Sequence, residues 1–156
     1  MEQTEQLFGA IASNNQDQLE SLLATNALLV DAVDQRGFTP LIFATYFGNE
    51  GATRSLIAHN ANVDGKDGTG NTALIGVSFK GDVSLAKILV EAGADINAVN
   101  NKGTSALSFA AQYNQIEVVR FLLSAGADRS LKDSEGKMAK DHATAKGYKE
   151  LAELLS

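Results

Sequence analysis

The stretch Thr72-Ala73-Leu74-Ile75-Gly76-Val77-Ser78-Phe79-Lys80-Gly81 is followed directly by Asp82-Val83-Ser84-Leu85-Ala86-Lys87-Ile88-Leu89-Val90-Glu91-Ala92-Gly93. The first piece opens on a hydroxyl residue that can cap a helix N-terminus and stops at a glycine that tolerates a left-handed turn. The second carries Val83, Leu85, Ala86, Ile88 and Leu89 at helical spacing and stops at Ala92-Gly93-Ala94-Asp95. Beyond it, Ile96-Asn97-Ala98-Val99-Asn100-Asn101-Lys102-Gly103 is rich in Asn, Asp and Gly, which is turn chemistry. The stretch therefore predicts two short helices and a tight loop.

The same pattern recurs along the chain. Gly37, Gly70, Gly103 and Gly136 are 33 residues apart, and Gly48, Gly81, Asn114 and Gly147 form a second series eleven residues further on. Asn60, Gly93 and Gly126 form a third. Leu41, Leu74 and Leu107 repeat in the same register, as do Leu56-Ile57, Leu89-Val90 and Leu122-Leu123. First helices are predicted near Thr39–Phe47, Thr72–Lys80 and Ser105–Tyr113, with Pro40 just inside the first of them, where its missing N–H costs nothing. A fixed period of this size, with each unit unable to bury its own apolar face, is the signature of a solenoid.

Thr39-Pro40-Leu41, Gly93-Ala94-Asp95-Ile96-Asn97-Ala98 and Gly126-Ala127-Asp128, held at that period, resemble the ankyrin repeat family. The resemblance implies an all-α solenoid of helix-turn-helix units joined by β-hairpin-like loops. One domain, 1–156, is expected: an N-terminal capping repeat at 1–33, full repeats at 34–66, 67–99 and 100–132, and a C-terminal capping repeat at 133–156. The first unit has Leu7, Ala10, Asn14, Leu19, Leu22 and Leu23 in matching places, with one extra residue expected between Leu23 and Gly37. The family's Thr-Pro-Leu-His reads Thr-Pro-Leu-Ile at 39–42, Thr-Ala-Leu-Ile at 72–75 and Ser-Ala-Leu-Ser at 105–108. The histidine that usually ties the loops is missing, so the resemblance does not by itself imply rigid loops. Arg129 and Leu131 replace an apolar and a small residue, and Met138-Ala139-Lys140 fits an end unit.

Composition narrows the chemistry. The chain has 156 residues, no cysteine, two histidines and a net charge of −6. Disulfides, zinc–thiolate sites and thiol nucleophiles are excluded. Gly68-Thr69-Gly70-Asn71-Thr72-Ala73 fits a nucleotide-binding fingerprint, but no apolar strand precedes it. Asp64 and Asp67 lack the ligand spacing and closing Glu of a calcium loop. His59 and His142 lie more than two repeats apart and are read as surface or loop-packing side chains. No catalytic site, metal or cofactor is expected. The start Met1-Glu2-Gln3-Thr4-Glu5 is polar and acidic, and no run is long enough to span a bilayer, so a cytoplasmic location is expected. An export signal removed ahead of residue 1 would leave the same sequence.

The family resemblance places partners on the loop tips and the exposed side of each first helix. The 24 positions mapped there by register hold seven bases, Arg36, Lys66, Lys80, Lys102, Lys132, Lys137 and Lys146, and one acid, Glu135. Even spreading would give about 2 bases and about 3 acids. Five of the ten aromatics, Phe38, Tyr46, Phe47, Phe79 and Tyr113, fall there as well. The opposing considerations are that tips favour lysine for solvation alone, that Asp34, Asp67 and Asp133 adjoin them, and that Phe38 suits packing between units. The expected partner-binding set is Arg36, Phe38, Tyr46, Phe47, Lys66, Phe79, Lys80, Lys102, Gln112, Tyr113 and Lys132. Its rings are expected to form one continuous patch. The function expected is binding of a partner protein with an acidic surface, by a monomer, as inhibitor, immunity-type protein or assembly aid. Nucleic-acid binding through the basic face, opposed by the net charge, and an enzyme built on carboxylates and His142 are the alternatives. No membrane partner is expected.

Overall fold

In a computed structural model, which describes residues 2–156, the chain forms ten α-helices in five antiparallel pairs. Met1, the first residue of the expected 1–33 unit, lies outside the described residues. The pairs are α1 (Glu2–Ala12) with α2 (Gln16–Thr25), α3 (Pro40–Tyr46) with α4 (Glu50–Ala58), α5 (Ala73–Lys80) with α6 (Val83–Glu91), α7 (Ala106–Gln112) with α8 (Ile116–Ser124), and α9 (Ala139–Ala145) with α10 (Lys149–Leu154). Among the described residues there is no strand, and Val99 and Ser105 make an isolated antiparallel bridge.

Local chemistry sets these boundaries. The hydroxyls of Thr39, Thr72 and Ser105 accept from the backbone N–H of Ile42, Ile75 and Ser108 at 3.1, 3.2 and 3.2 Å, capping α3, α5 and α7. Gly48, Gly81 and Asn114 take φ of +67°, +79° and +56° at the stops. The second helices α4, α6 and α8 end before Asn60, Gly93 and Gly126, all with positive φ. In the first pair the corresponding residue is Ala27, which pays a steric penalty in that conformation. The chain there continues as a 3-10 helix, Ala27–Asp31, instead. The extra residue of the first unit does not lie between Leu23 and Gly37. It sits inside α2, which has ten residues where α4, α6 and α8 have nine.

The core is one continuous cluster running the length of the stack. Leu41, Leu74 and Leu107 of the first helices share this cluster with Ala52, Leu85, Val118, Leu151, Leu56, Leu89 and Leu122 of the second and with Leu155 just beyond α10, all buried. Where no further pair covers the end, the Leu107 register becomes Lys140, which is exposed. Ala44, Val77, Ala110 and Ala143 stand where neighbouring first helices meet, and their small size lets α3, α5, α7 and α9 approach closely. Neighbouring second helices touch less, so the stack curves with its first helices on the inner side. This curvature makes the first-helix face concave.

Other side chains tie the loops where the family's histidine is missing. The side-chain oxygens of Asp34, Asp67, Asn100 and Asp133 each accept two backbone N–H groups of their own turn, at 2.8 to 3.0 Å. A second ladder joins pairs: Asp31, Asp64 and Asn97 accept from the N–H of Asn62, Asp95 and Asp128 at 2.8 to 2.9 Å. Short Asx side chains thus replace the family's histidine. Arg129, which breaks the apolar pattern, donates to the carbonyls of Leu154 and Ser156 at 3.3 and 2.9 Å and so caps the end of α10.

Candidate partner-binding face

The C-terminal carbonyls of a helix have no partner within it. Here the next pair supplies one. Asn49 donates to the Ile11 carbonyl of α1, Lys80 to Tyr46 of α3, Gln115 to Phe79 of α5 and Lys146 to Gln112 of α7. These bonds fix the ends of α1, α3, α5 and α7, and the predicted aromatic residues lie at the last three. Tyr46, Phe47, Phe79 and Tyr113 are 61, 53, 42 and 48% exposed.

The rings do not form one patch. Phe8, Phe43, Phe47 and Tyr46 make a first cluster, with centroids 5.0, 4.7 and 5.3 Å apart along the series. Phe79, Phe109 and Tyr113 make a second, with Phe79 4.6 Å from Tyr113 in edge-to-face geometry. Phe43 is buried and Phe109 half-buried, so each supports exposed rings from beneath. Between the clusters lies a cavity of about 400 Å³, lined by residues that include Phe38, Phe43, Tyr46, Gly76, Phe79 and Lys80. Neither Phe43, Phe109 nor Gly76 was among the residues expected at the face.

The expected cations divide by task. Lys80 Nζ lies 4.6 Å from the Tyr46 ring centroid, and Lys146 Nζ 5.1 Å from that of Tyr113. Arg36 lies over both Phe38 and Phe43 and pairs with Asp34 at 2.6 Å. Lys66 Nζ donates to the Val99 carbonyl at 3.0 Å, joining two tips. Lys102 and Lys132 are exposed. Phe38 is half-buried against the core, and Gln112 is half-buried beside Ser108, so both are weaker contact candidates than the exposed rings. Among the described residues, arginines and histidines pair with carboxylates and no lysine does.

The other titratable groups are tied locally. His59 Nε2 lies 3.0 Å from Glu20 Oε1, and hydrogen bonding from Ser55 first and His59 next holds the Glu20 carboxyl below its ordinary range. His142 Nε2 lies 2.7 Å from Asp133 Oδ2, with both side chains largely buried. Burial pushes Asp133 up, but bonds from His142 and from the N–H of Lys137 and Glu135 outweigh it and leave the carboxyl below its ordinary value. The fingerprint-like loop 68–73 is occupied by its neighbour: Asn101 N–H donates to the Thr69 carbonyl at 3.0 Å. Among the described residues no three His, Asp or Glu side chains gather as metal ligands would, and no helix is long and apolar enough to cross a membrane.

A family model described as ankyrin repeats, three copies, matches residues 7–100 and again residues 75–156. The chain belongs to the ankyrin-repeat family. No curated protein matches it. Ankyrin repeats are generally protein–protein interaction modules and are typically without catalytic activity. In this ankyrin-repeat chain the inner face offers exposed rings on helix ends bonded to the next repeat, with lysines that have no carboxylate partner among the described residues.

Proposed function

We propose that this ankyrin-repeat chain binds a partner protein through the inner face of its first helices and performs no chemistry of its own. The partner presents an acidic, partly apolar surface, and the chain acts by occupying it, as an inhibitor, immunity-type protein or assembly aid. It works as one monomeric cytoplasmic module, with residues 1–33 and 133–156 closing the ends of repeats 34–66, 67–99 and 100–132. The observation that carries this reading is the exposure of Tyr46, Phe47, Phe79 and Tyr113 on helix ends held by the next repeat. Aromatic side chains exposed in a group have no solvation advantage, and they are the commonest anchors of protein interfaces. The net charge of −6 argues against nucleic acid as the ligand.

The test is affinity capture from the source cells, followed by measurement of binding to the purified partner. Tyr46→Ala with Phe79→Ala removes an exposed ring from each cluster without touching the core. Loss of about 2 kcal/mol or more of binding, with an unchanged circular dichroism spectrum, is expected for central anchors. Full affinity in the folded double variant would show that the partner binds elsewhere.

A further inference from the structure

Phe43, Gly76, Phe109 and His142 occupy one position of the 33-residue period, on α3, α5, α7 and α9. Three of the four carry a ring, and α5 carries nothing. Gly76 is not required by the backbone, since its φ is outside the left-handed region. Nor is it required by crowding, since a Cβ there would meet nothing within 4 Å. Glycine in a helix interior lowers stability relative to alanine. The missing side chain leaves the cavity of about 400 Å³ that separates the two ring clusters. That volume is at the small end of the roughly 300–1,000 Å³ range of ligand pockets, which suits one large side chain.

We infer that the Gly76 notch is a pocket for a single aromatic side chain of the partner, presented by a segment with carboxylates beside that ring. This deepens the proposed function and rests on it. Tyr46, Phe79, Phe38 and Phe43 line the notch, so an entering ring meets aromatic side chains, which favour edge-to-face or offset contact. Charge selects the flanking groups. Lys80 lines the cavity and donates one hydrogen to the Tyr46 carbonyl, leaving two N–H donors of its ammonium for a ligand. No lysine on this face has a carboxylate partner among the described residues. Asp67 also lines the cavity and carries a negative charge, but its Oδ1 is turned to its own loop, accepting from the N–H groups of Thr69 and Asn71 and from the Thr69 hydroxyl, so the ligand's carboxylates are placed on the Lys80 side of the notch.

The probe is the peptide N-acetyl-Asp-Glu-Phe-Glu-Asp-amide, titrated to millimolar concentration into the full-length ¹⁵N-labelled chain. One control has Ala for Phe, and another has Lys for each acid. Saturable shifts at the amides of Ala73, Gly76 and Phe79 are expected, with binding at least tenfold weaker for either control. Gly76→Phe fills the notch and should weaken the peptide at least tenfold while the melting temperature holds or rises. Gly76→Ala, which cannot disturb the fold through crowding, should weaken it less. An absence of shifts at those three amides, or equal binding to wild type and Gly76→Phe, overturns the pocket. Equal binding with shifts confined to Tyr113 and its neighbours would overturn the pocket yet leave the proposed face intact. The face itself fails only if the partner ignores the Tyr46/Phe79 double variant.

Discussion

Gly70 turns the chain at φ +82°, and a Cβ added there would lie 2.8 Å from the backbone nitrogen of Asn101 and 2.5 Å from its side-chain oxygen. Gly76, six residues on, has neither constraint. Gly70→Ala should therefore cost about 1–3 kcal/mol through strain and crowding, while Gly76→Ala should stabilise by roughly 0.5–1 kcal/mol. Urea titration of the two variants reads opposite signs if this account is right. Asp133 makes a third residue-scale case. Its folded carboxyl titrates below the ordinary value of 3.8, so it binds fewer protons than the unfolded chain does just below that value. Its contribution is fully present above pH 3.8 and is lost as pH falls through the lower, folded value. Asp133→Asn keeps the turn, because Asn100 makes the same pair of backbone bonds one repeat earlier. The variant should thus be less stable than wild type at pH 6 and should lose less stability on going to pH 3. A parallel acid dependence in both proteins would rule out Asp133 as a contributor.

Leu89 of α6 is fully buried, whereas Gln115 ties the end of α5 from the neighbouring repeat at an exposed site. Leu89→Ala should cost about 2–5 kcal/mol, and Gln115→Ala about 0.5–1.5 kcal/mol, since one neutral hydrogen bond gives little net gain against water. The ratio, read from denaturant midpoints, tests whether apolar packing or cross-repeat capping governs each element. The same contrast explains what was legible. Thr39, Thr72 and Ser105 cap helices three residues away, so their role is written in adjacent letters. Lys80, Gln115 and Lys146 reach carbonyls more than thirty residues back, and that reach exists only once the repeats are stacked. The Asx bonds that join neighbouring pairs span 31 residues and were hidden for the same reason, although the residues recur at the repeat period. Placing Tyr46, Phe79 and Tyr113 by register located exposed rings, but comparing side chains only within the mapped positions missed Phe43 and Phe109. Aligning 43, 76, 109 and 142 would have shown both the supporting rings and the gap that divides them.

At the scale of the molecule, charge is distributed by role. Arg54 pairs with Glu50 along α4, and Arg120 of α8 bridges Glu117 to Glu150 of α10, all on the second-helix side of the stack. The loop-tip lysines have no such partners among the described residues, and under the proposed function they form a positive inner edge on a chain of net charge −6. Such an edge should raise the rate of encounter with an acidic partner more than it slows dissociation. Lys66 is a poor choice for testing this, because reversing it also breaks its bond to the Val99 carbonyl between two tips. Lys102 and Lys132 are exposed and free of that complication. Lys102→Glu with Lys132→Glu should slow association with the captured partner by about tenfold at low ionic strength, within the range steering supplies. The difference should shrink as salt rises, because screening shortens from about 10 Å at 0.1 M to about 3 Å at 1 M. Dissociation, set by the rings, should change little across the same series. Stopped-flow association rates for wild type and variant over that salt range decide the matter, and equal rates at low salt would show that the lysines do not steer the partner.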